Sequence, residues 1–132
     1  MDEKSFVKLG MKEHSSVLVF SPPEIVVQDI SNMTLPSGSK ISYIPIPNDL
    51  FDIALIFVRN QLDVLELAAA SVAPLKRGGN LWFAFPAKGS RLETDLSESV
   101  GWATLVDSGW SKKEYFDLNN GWTAIKFTEP RI

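Results

Sequence analysis

Short apolar runs alternate along this chain with segments of helical spacing, and turn residues separate the two. Val17-Leu18-Val19-Phe20 is an unbroken apolar run, the mark of a strand covered on both faces. Ser21-Pro22-Pro23-Glu24 follows, with the S-x-x-E spacing of a capping box and proline at the first helical position. A short helix is predicted from there to about Met33, with Ile25, Val26 and Ile30 among its apolar positions. Ile41 to Ile44 reads as a second strand, and Asp52 to Val58 ("DIALIFV") is the strongest strand pattern in the chain. Asn60 is suited to cap the next helix, whose apolar stripe runs Leu62, Leu65, Ala69, Val72 before Pro74 and Gly78-Gly79 end it.

The second half continues the alternation. Asn80 to Phe85 ("NLWFAF") reads as another buried strand, stopped by Pro86. Thr94 is placed to cap a helix reaching about Ser108, with Gly109 as its left-handed terminator. The closing "SKKEYFDLNNGWTAIKF" reads as two strands around Asn120-Gly121, a tight-hairpin pair. Residues 1–15 form a polar lead-in with one turn of helix. The order of elements predicts a single α/β domain over residues 1–132 with a mostly parallel sheet. One link is awkward. Residues 45–52 are fewer than a parallel crossover usually needs, so either the chain crosses fully extended or the second strand pairs differently.

Composition narrows the function classes. The 132 residues are 45% hydrophobic and 22% charged with a net charge of −3, ordinary for a globular protein and without the basic footprint of a nucleic-acid binder. Without cysteine, disulfides, thiolate metal sites and a cysteine nucleophile are excluded. Met1 to Lys4 lacks the apolar core of a signal peptide, and Ile53 to Val58 is too short to span a bilayer. The expectation is a cytoplasmic protein with no membrane partner.

"IPIPNDLFDIALIFV" followed by "VAPLKRGGNLWFAFP" resembles the second half of a class I S-adenosylmethionine-dependent methyltransferase, where a strand after F-D, a helix and an L-K-x-G-G turn lead to the next strand. More specifically, "LGMKEHSSVLVFSPPE", "LKRGGNLWFAFPAKGS" and "TDLSESVGWATLVDSGW" resemble a small bacterial family of unknown function that looks like a stripped-down methyltransferase domain. The resemblance runs from about Leu9 to Phe127 and implies a Rossmann-like, methyltransferase-type fold closed by an antiparallel hairpin. The departures from it concern the cofactor. Where methyltransferases carry a glycine-rich loop, this chain has Ser21 to Glu24, whose two prolines remove two amide donors and whose glutamate adds a negative charge. Where they use an acid at the end of the second strand to hold ribose, this chain has Ile44-Pro45-Ile46, with Asp49 the nearest carboxylate. The expectation is a degenerate site with no cofactor.

Few residues are placed for other chemistry. His14, the one histidine, precedes the first strand at the amino edge and reads as a surface residue. Glu93, Asp95 and Glu98 suit the first turn of the helix expected after Thr94 better than a metal site. No serine sits in a G-x-S-x-G elbow. Trp82 and Trp102 are assigned to the core, Trp110 and Trp122 to partly exposed positions near the hairpin. The carboxyl-edge loops gather Arg59, Lys88 and Arg91, with Ser21 and Asn60 beside them and Asn48 and Ser90 further along. These form either a solvated polar rim or a candidate anion site, since open α/β sheets bind ligands at that edge. The leading expectation is a noncatalytic binding or interaction module whose partner is a small anion or a protein; the alternative is a divergent methyltransferase with an altered cofactor pocket.

Overall fold

The structure is a computed structural model that describes residues 2–46, 48–119 and 121–129. It opens with helix α1, Glu3–Leu9, capped by the Asp2 carboxylate on the Ser5 amide at 2.9 Å and ended by Gly10 at φ 101°. Strand β1 (Ser16–Phe20), helix α2 (Glu24–Ser31) and strand β2 (Lys40–Ser42) come next. Strand β3 (Phe51–Phe57), helix α3 (Gln61–Val72) and strand β4 (Leu75–Pro86) form the centre. A short helix α4 (Ala103–Asp107) and the strands β5 (Ser111–Asn119) and β6 (Trp122–Thr128) complete the chain.

All six strands share one sheet in the order β2-β1-β3-β4-β6-β5, parallel from β2 to β4 and antiparallel through β6 and β5. Its two faces carry separate cores. On one, α1 and α2 cover Val17, Val19, Leu55 and Trp82 with Phe6, Leu9, Val26 and Ile30. On the other, α3 and α4 cover Leu18, Ile56, Phe83 and Phe127 with Val64, Ala68 and Leu105. Trp102 packs there against Phe83, Phe85 and Phe127 at ring distances of 5.5–5.7 Å, and its indole N–H donates to the Ser97 carbonyl at 2.7 Å.

The awkward link is explained by register. Strand β2 pairs with the outer side of β1, and Ser42 lies level with Leu18, which in turn lies level with Ala54. The chain leaving Ser42 therefore moves about 10 Å sideways and about 10 Å back to reach Phe51. Residues 43–50 cover that path without a helix, because eight residues can extend over about 27 Å. Pro45 lies on the α3 side, against Leu18, Phe20, Ile56 and Leu67.

Several local expectations change. The α2 helix begins at Glu24 with Pro23 as its N-cap and no side-chain cap bond, so Ser21 and Glu24 do not form a capping box. Ser21 sits at φ 57°, which turns it away from α2 toward β3. The buried face of α3 is Val64, Ala68 and Ser71; Leu62 and Leu65 are 57% and 60% exposed. No helix starts at Thr94. Its hydroxyl accepts from the Leu96 amide, and Ser97 Oγ accepts from the Ser99 and Val100 amides, so local side-chain bonds replace the helical ladder until Ala103. Glu93, Asp95 and Glu98 therefore lie in an irregular segment rather than a first turn. Trp110 and Trp122 are buried, at 7% and 4% exposure, because the hairpin is integral to the sheet. Of the hairpin turn, Asn120 lies outside the described residues, while Gly121 takes φ 86°.

Two measurements test this frame. A Cβ at Gly121 would stand 3.5 Å from that of Ser90 and would hold a backbone angle that β-branched residues avoid. Gly121→Val is expected to lower stability by about 1 kcal/mol or more, read as a fall in melting temperature. Asp52 supplies a pH test. Burial pushes its pKa up, but the Ser16 amide at 2.8 Å and the Lys76 ammonium at 3.1 Å more than offset this and hold it below 3.8. Its stabilisation is thus fully present above the unfolded value and lost as the pH falls through the lower folded value. Asp52→Asn is expected to flatten that part of the acid-denaturation profile.

Candidate functional site

At the carboxyl edge, β1 and β3 are neighbours whose chains continue in opposite directions, the position where open α/β sheets leave a crevice. Ser21 follows β1 and Arg59 follows β3 by two residues. Arg59 Nη1 donates to both the carbonyl oxygen and the hydroxyl of Ser21, each at 3.2 Å. The same guanidinium lies over the Trp122 ring, 5.5 Å from its centroid, and Trp122 is fixed edge-on to Phe57 at 5.1 Å. Arg59 thus spans from the end of β1 to the start of β6 and covers the strand ends between them. Such a planar cation on an indole contributes about 0.5–1 kcal/mol where water still reaches it.

Beside it, the start of α3 is closed by acids of the chain itself. The Asn60 side-chain oxygen accepts from the Asp63 amide at 2.9 Å, as expected of a cap. Asp63 accepts from the Arg59 amide at 2.8 Å. Asp95 accepts from the Gln61 amide at 2.8 Å, and Gln61 Nε2 donates back to the Asp95 carbonyl at 3.1 Å. The role of Asp95 is structural: a carboxylate from a distant loop seated on a helix N-terminus. Nothing in the local sequence around Asp95 points to Gln61, 34 residues away.

Lys88 stands apart from this arrangement. It lines an open groove of about 350 Å³ at the ends of β4, β5 and β6, together with Glu98, Tyr115, Asp117, Trp122 and Thr123. Thr123 Oγ1 donates to Asp117 at 3.2 Å, which leaves the rest of that carboxylate and the Glu98 carboxylate facing the same groove as the ammonium. Arg91 is exposed further along the same loop, and Ser90 Oγ is buried without a hydrogen-bond partner among the described residues. The structure thus joins Arg59 to Ser21 and sets Asn60 next to them as the N-cap of α3. Trp122, which both contacts Arg59 and lines the groove, links that set to Lys88. The sequence did not single out Trp122, Glu98, Tyr115 or Asp117 for this edge; the pairing of Pro86 with Trp122 brings Trp122 there, and the pairing of β5 with β6 brings Tyr115 and Asp117.

Among the described residues no group of three or more histidine, aspartate or glutamate side chains is placed to hold a metal, and no helix is long and apolar enough to cross a membrane. The Arg59 contact is open to test. Replacing Arg59 with glutamine is expected to shift the Trp122 indole resonance and to change stability by no more than about 1 kcal/mol. An unmoved indole signal would show that the guanidinium does not rest on Trp122 in solution.

No protein-family model and no curated protein matches this chain. Solved structures do. The ribosomal protein L11 methylase of Lactobacillus delbrueckii subsp. bulgaricus superposes with a TM-score of 0.55 at 7% identity, over 89% of this chain and 71% of that one. The fibrillarin pre-rRNA processing protein of Methanococcus jannaschii gives 0.59 at 11% identity, over 88% and 66%. An S-adenosylmethionine-dependent methyltransferase of Aquifex aeolicus gives 0.53 at 14%, over 95% and 87%. At such identities the likeness concerns the fold alone, and the fold of this chain is Rossmann-like and methyltransferase-type: a mostly parallel six-stranded sheet ended by an antiparallel pair.

Proposed function

We propose that this chain is a noncatalytic Rossmann-like binding or interaction module that uses its carboxyl edge to hold a small anionic group. The observation that carries this reading is Arg59 lying across the junction of β1 and β3, bonded to the backbone and hydroxyl of Ser21. In a cofactor-dependent relative that junction would offer free backbone amides to the ligand. Here Pro22 and Pro23 have none, and the side chain of the protein itself fills the approach. The cations at this edge are Arg59, through its other nitrogens, then Lys88, which shares its groove with Glu98 and Asp117, and Arg91, with Ser21 and Asn60 as neutral partners. Arginine suits a phosphate or carboxylate through paired N–H bonds, and lysine adds a point charge.

A second reading, a divergent S-adenosylmethionine-dependent methyltransferase with an altered cofactor pocket, is favoured by the fold itself and by the groove beside Lys88. Calorimetry separates the two. S-adenosylmethionine at millimolar concentration is expected to give no binding heat; a micromolar dissociation constant would overturn the proposal in favour of the enzyme. Phosphate titration followed by amide resonances tests the anion. The loops at Ser21, Arg59 and Lys88 to Arg91 are expected to move, and Arg59→Gln with Lys88→Gln to abolish the movement. If none of these loops responds in the unaltered protein, the anion reading falls.

A further inference from the structure

The opposite edge of the sheet holds a second set of charges that the proposed function leaves unused. Two of the sequence stretches singled out above, "LGMKEHSS" and "LKRGGN", meet there. The cause is a large bulge. Pairing of β3 with β4 jumps from Phe51↔Leu75 to Ile53↔Asn80, so Lys76 to Gly79 loop out opposite Asp52 alone. Gly78 makes the bulge possible at φ 79°. The looped residues and the α1–β1 turn, Lys12 to Ser15, enclose a polar cleft of about 320 Å³. That turn is held by Ser15 Oγ accepting from the Lys12 amide at 3.0 Å and by the His14 amide donating to the Ser37 carbonyl at 2.9 Å.

Donors outnumber acceptors in this cleft. Two of the nearby carboxylates already have partners: Asp52 takes the Ser16 amide and Lys76, and Glu129 takes the Gly78 amide at 2.7 Å. The third, Glu13, lines the cleft beside Lys12 and is exposed, as Lys12, His14 and Arg77 are. Lys12, His14 and Arg77 are exposed lining residues, and among the described residues the His14 and Arg77 side chains make no hydrogen bond or ion pair. The Asn80 side-chain amide lines the same space without a hydrogen-bond partner, and the hydroxyl proton of buried Ser15 has no acceptor. The contact of Glu129 with Gly78 shows that the bulge backbone receives an anionic oxygen.

We infer that this amino-edge cleft is a binding site for a small phosphate-bearing compound, held by Lys12, Arg77 and His14 with Asn80 and Ser15 as neutral donors. Lys12 and Arg77 come from different loops, so they grip the ligand from two sides, and the cleft is large enough for a phosphate and a small organic body. The site is independent of the carboxyl-edge reading and survives its failure.

The test is amide and side-chain NMR of the full chain during titration with inorganic pyrophosphate and, separately, ribose 5-phosphate. The first probes free phosphate chains and the second a phosphate ester. The expected result is movement of Lys12 to Ser15 and Gly78 to Asn80 with at least one of the two. The paired variant Lys12→Gln and Arg77→Gln should weaken binding by at least about tenfold. The charge-keeping pair Lys12→Arg and Arg77→Lys should retain it, which separates loss of charge from damage to the turns. Arg59→Gln with Lys88→Gln should leave it unchanged. No movement of the amino-edge loops, movement confined to the carboxyl-edge loops, or equal affinity in the glutamine pair would each overturn the inference.

Discussion

Three parallel strands, β1, β3 and β4, are covered on both faces, and this constraint organises the rest of the molecule. A strand in that position can satisfy its backbone only through the ladder, and its side chains must be apolar on both sides. Val17 to Val19, Ile53 to Val58 and Leu81 to Phe85 are accordingly apolar and buried. Every charge of consequence is displaced to the two rims where the strands end. The polar groups at the strand ends, Ser15 and Asp52 at one rim and Ser21 and Arg59 at the other, are bonded chiefly to backbone or to each other.

How much of this was legible in the sequence follows from the same constraint. Unbroken apolar runs identify doubly covered strands, so β1, β3 and β4 were readable, as were the hairpin and the α/β class. The helix expected after Thr94 was not readable because its spacing is equally open to competing bonds, most of them local and one to a distant helix. Asp95 is drawn to Gln61 and Trp102 Nε1 to the Ser97 carbonyl, while Ser97 ties up amides a helix would need. The face of α3 was misjudged for a related reason. "LDVLELAAASV" is apolar nearly all round, so spacing alone does not choose between Leu62-Leu65-Ala69 and Val64-Ala68-Ser71. At the candidate site, sequence order suggested Arg59, Lys88 and Arg91, since residues that follow parallel strands arrive at one rim. It did not reveal that Trp122 bridges Arg59 to the groove of Lys88, because that depends on antiparallel pairing between β4 and β6.

The short crossover from β2 to β3 shows how a small change in strand length reshapes a rim. Had β2 run several residues beyond Ser42, the return to Phe51 would be longer, and a helix would become the natural way to cover it. With three residues in β2, an irregular connection that turns at Asn48 (φ 68°) is enough. An irregular connection cannot tuck an apolar stripe beneath itself as a helix does, so Ile44, Ile46 and Leu50 stand 67%, 42% and 52% exposed. The same economy leaves no acid at the end of β2, where Tyr43 and Ile44 lead directly into Pro45.

Charge is divided unequally between the rims in a chain that carries −3 overall. At the carboxyl rim, acids serve the protein itself: Asp95 closes the Gln61 amide at the start of α3, Asp63 holds the Arg59 amide just before the helix, and Asn60 closes the Asp63 amide. A helix N-terminus satisfied in this way no longer attracts an outside anion, because its partial positive charge already faces a full negative one. Any anion held there must be held by side chains, and Arg59 is partly engaged with Ser21 and Trp122. At the amino rim the relation reverses. The carboxylates of Asp52 and Glu129 are held by amides and Lys76, while Lys12 and Arg77 stand in the cleft lining together with Glu13. A local field depends on where charges stand rather than on the net count, so an acidic protein can still present lysine and arginine donors together in one cleft. The position of that cleft follows from the bulge that Gly78 permits in β4.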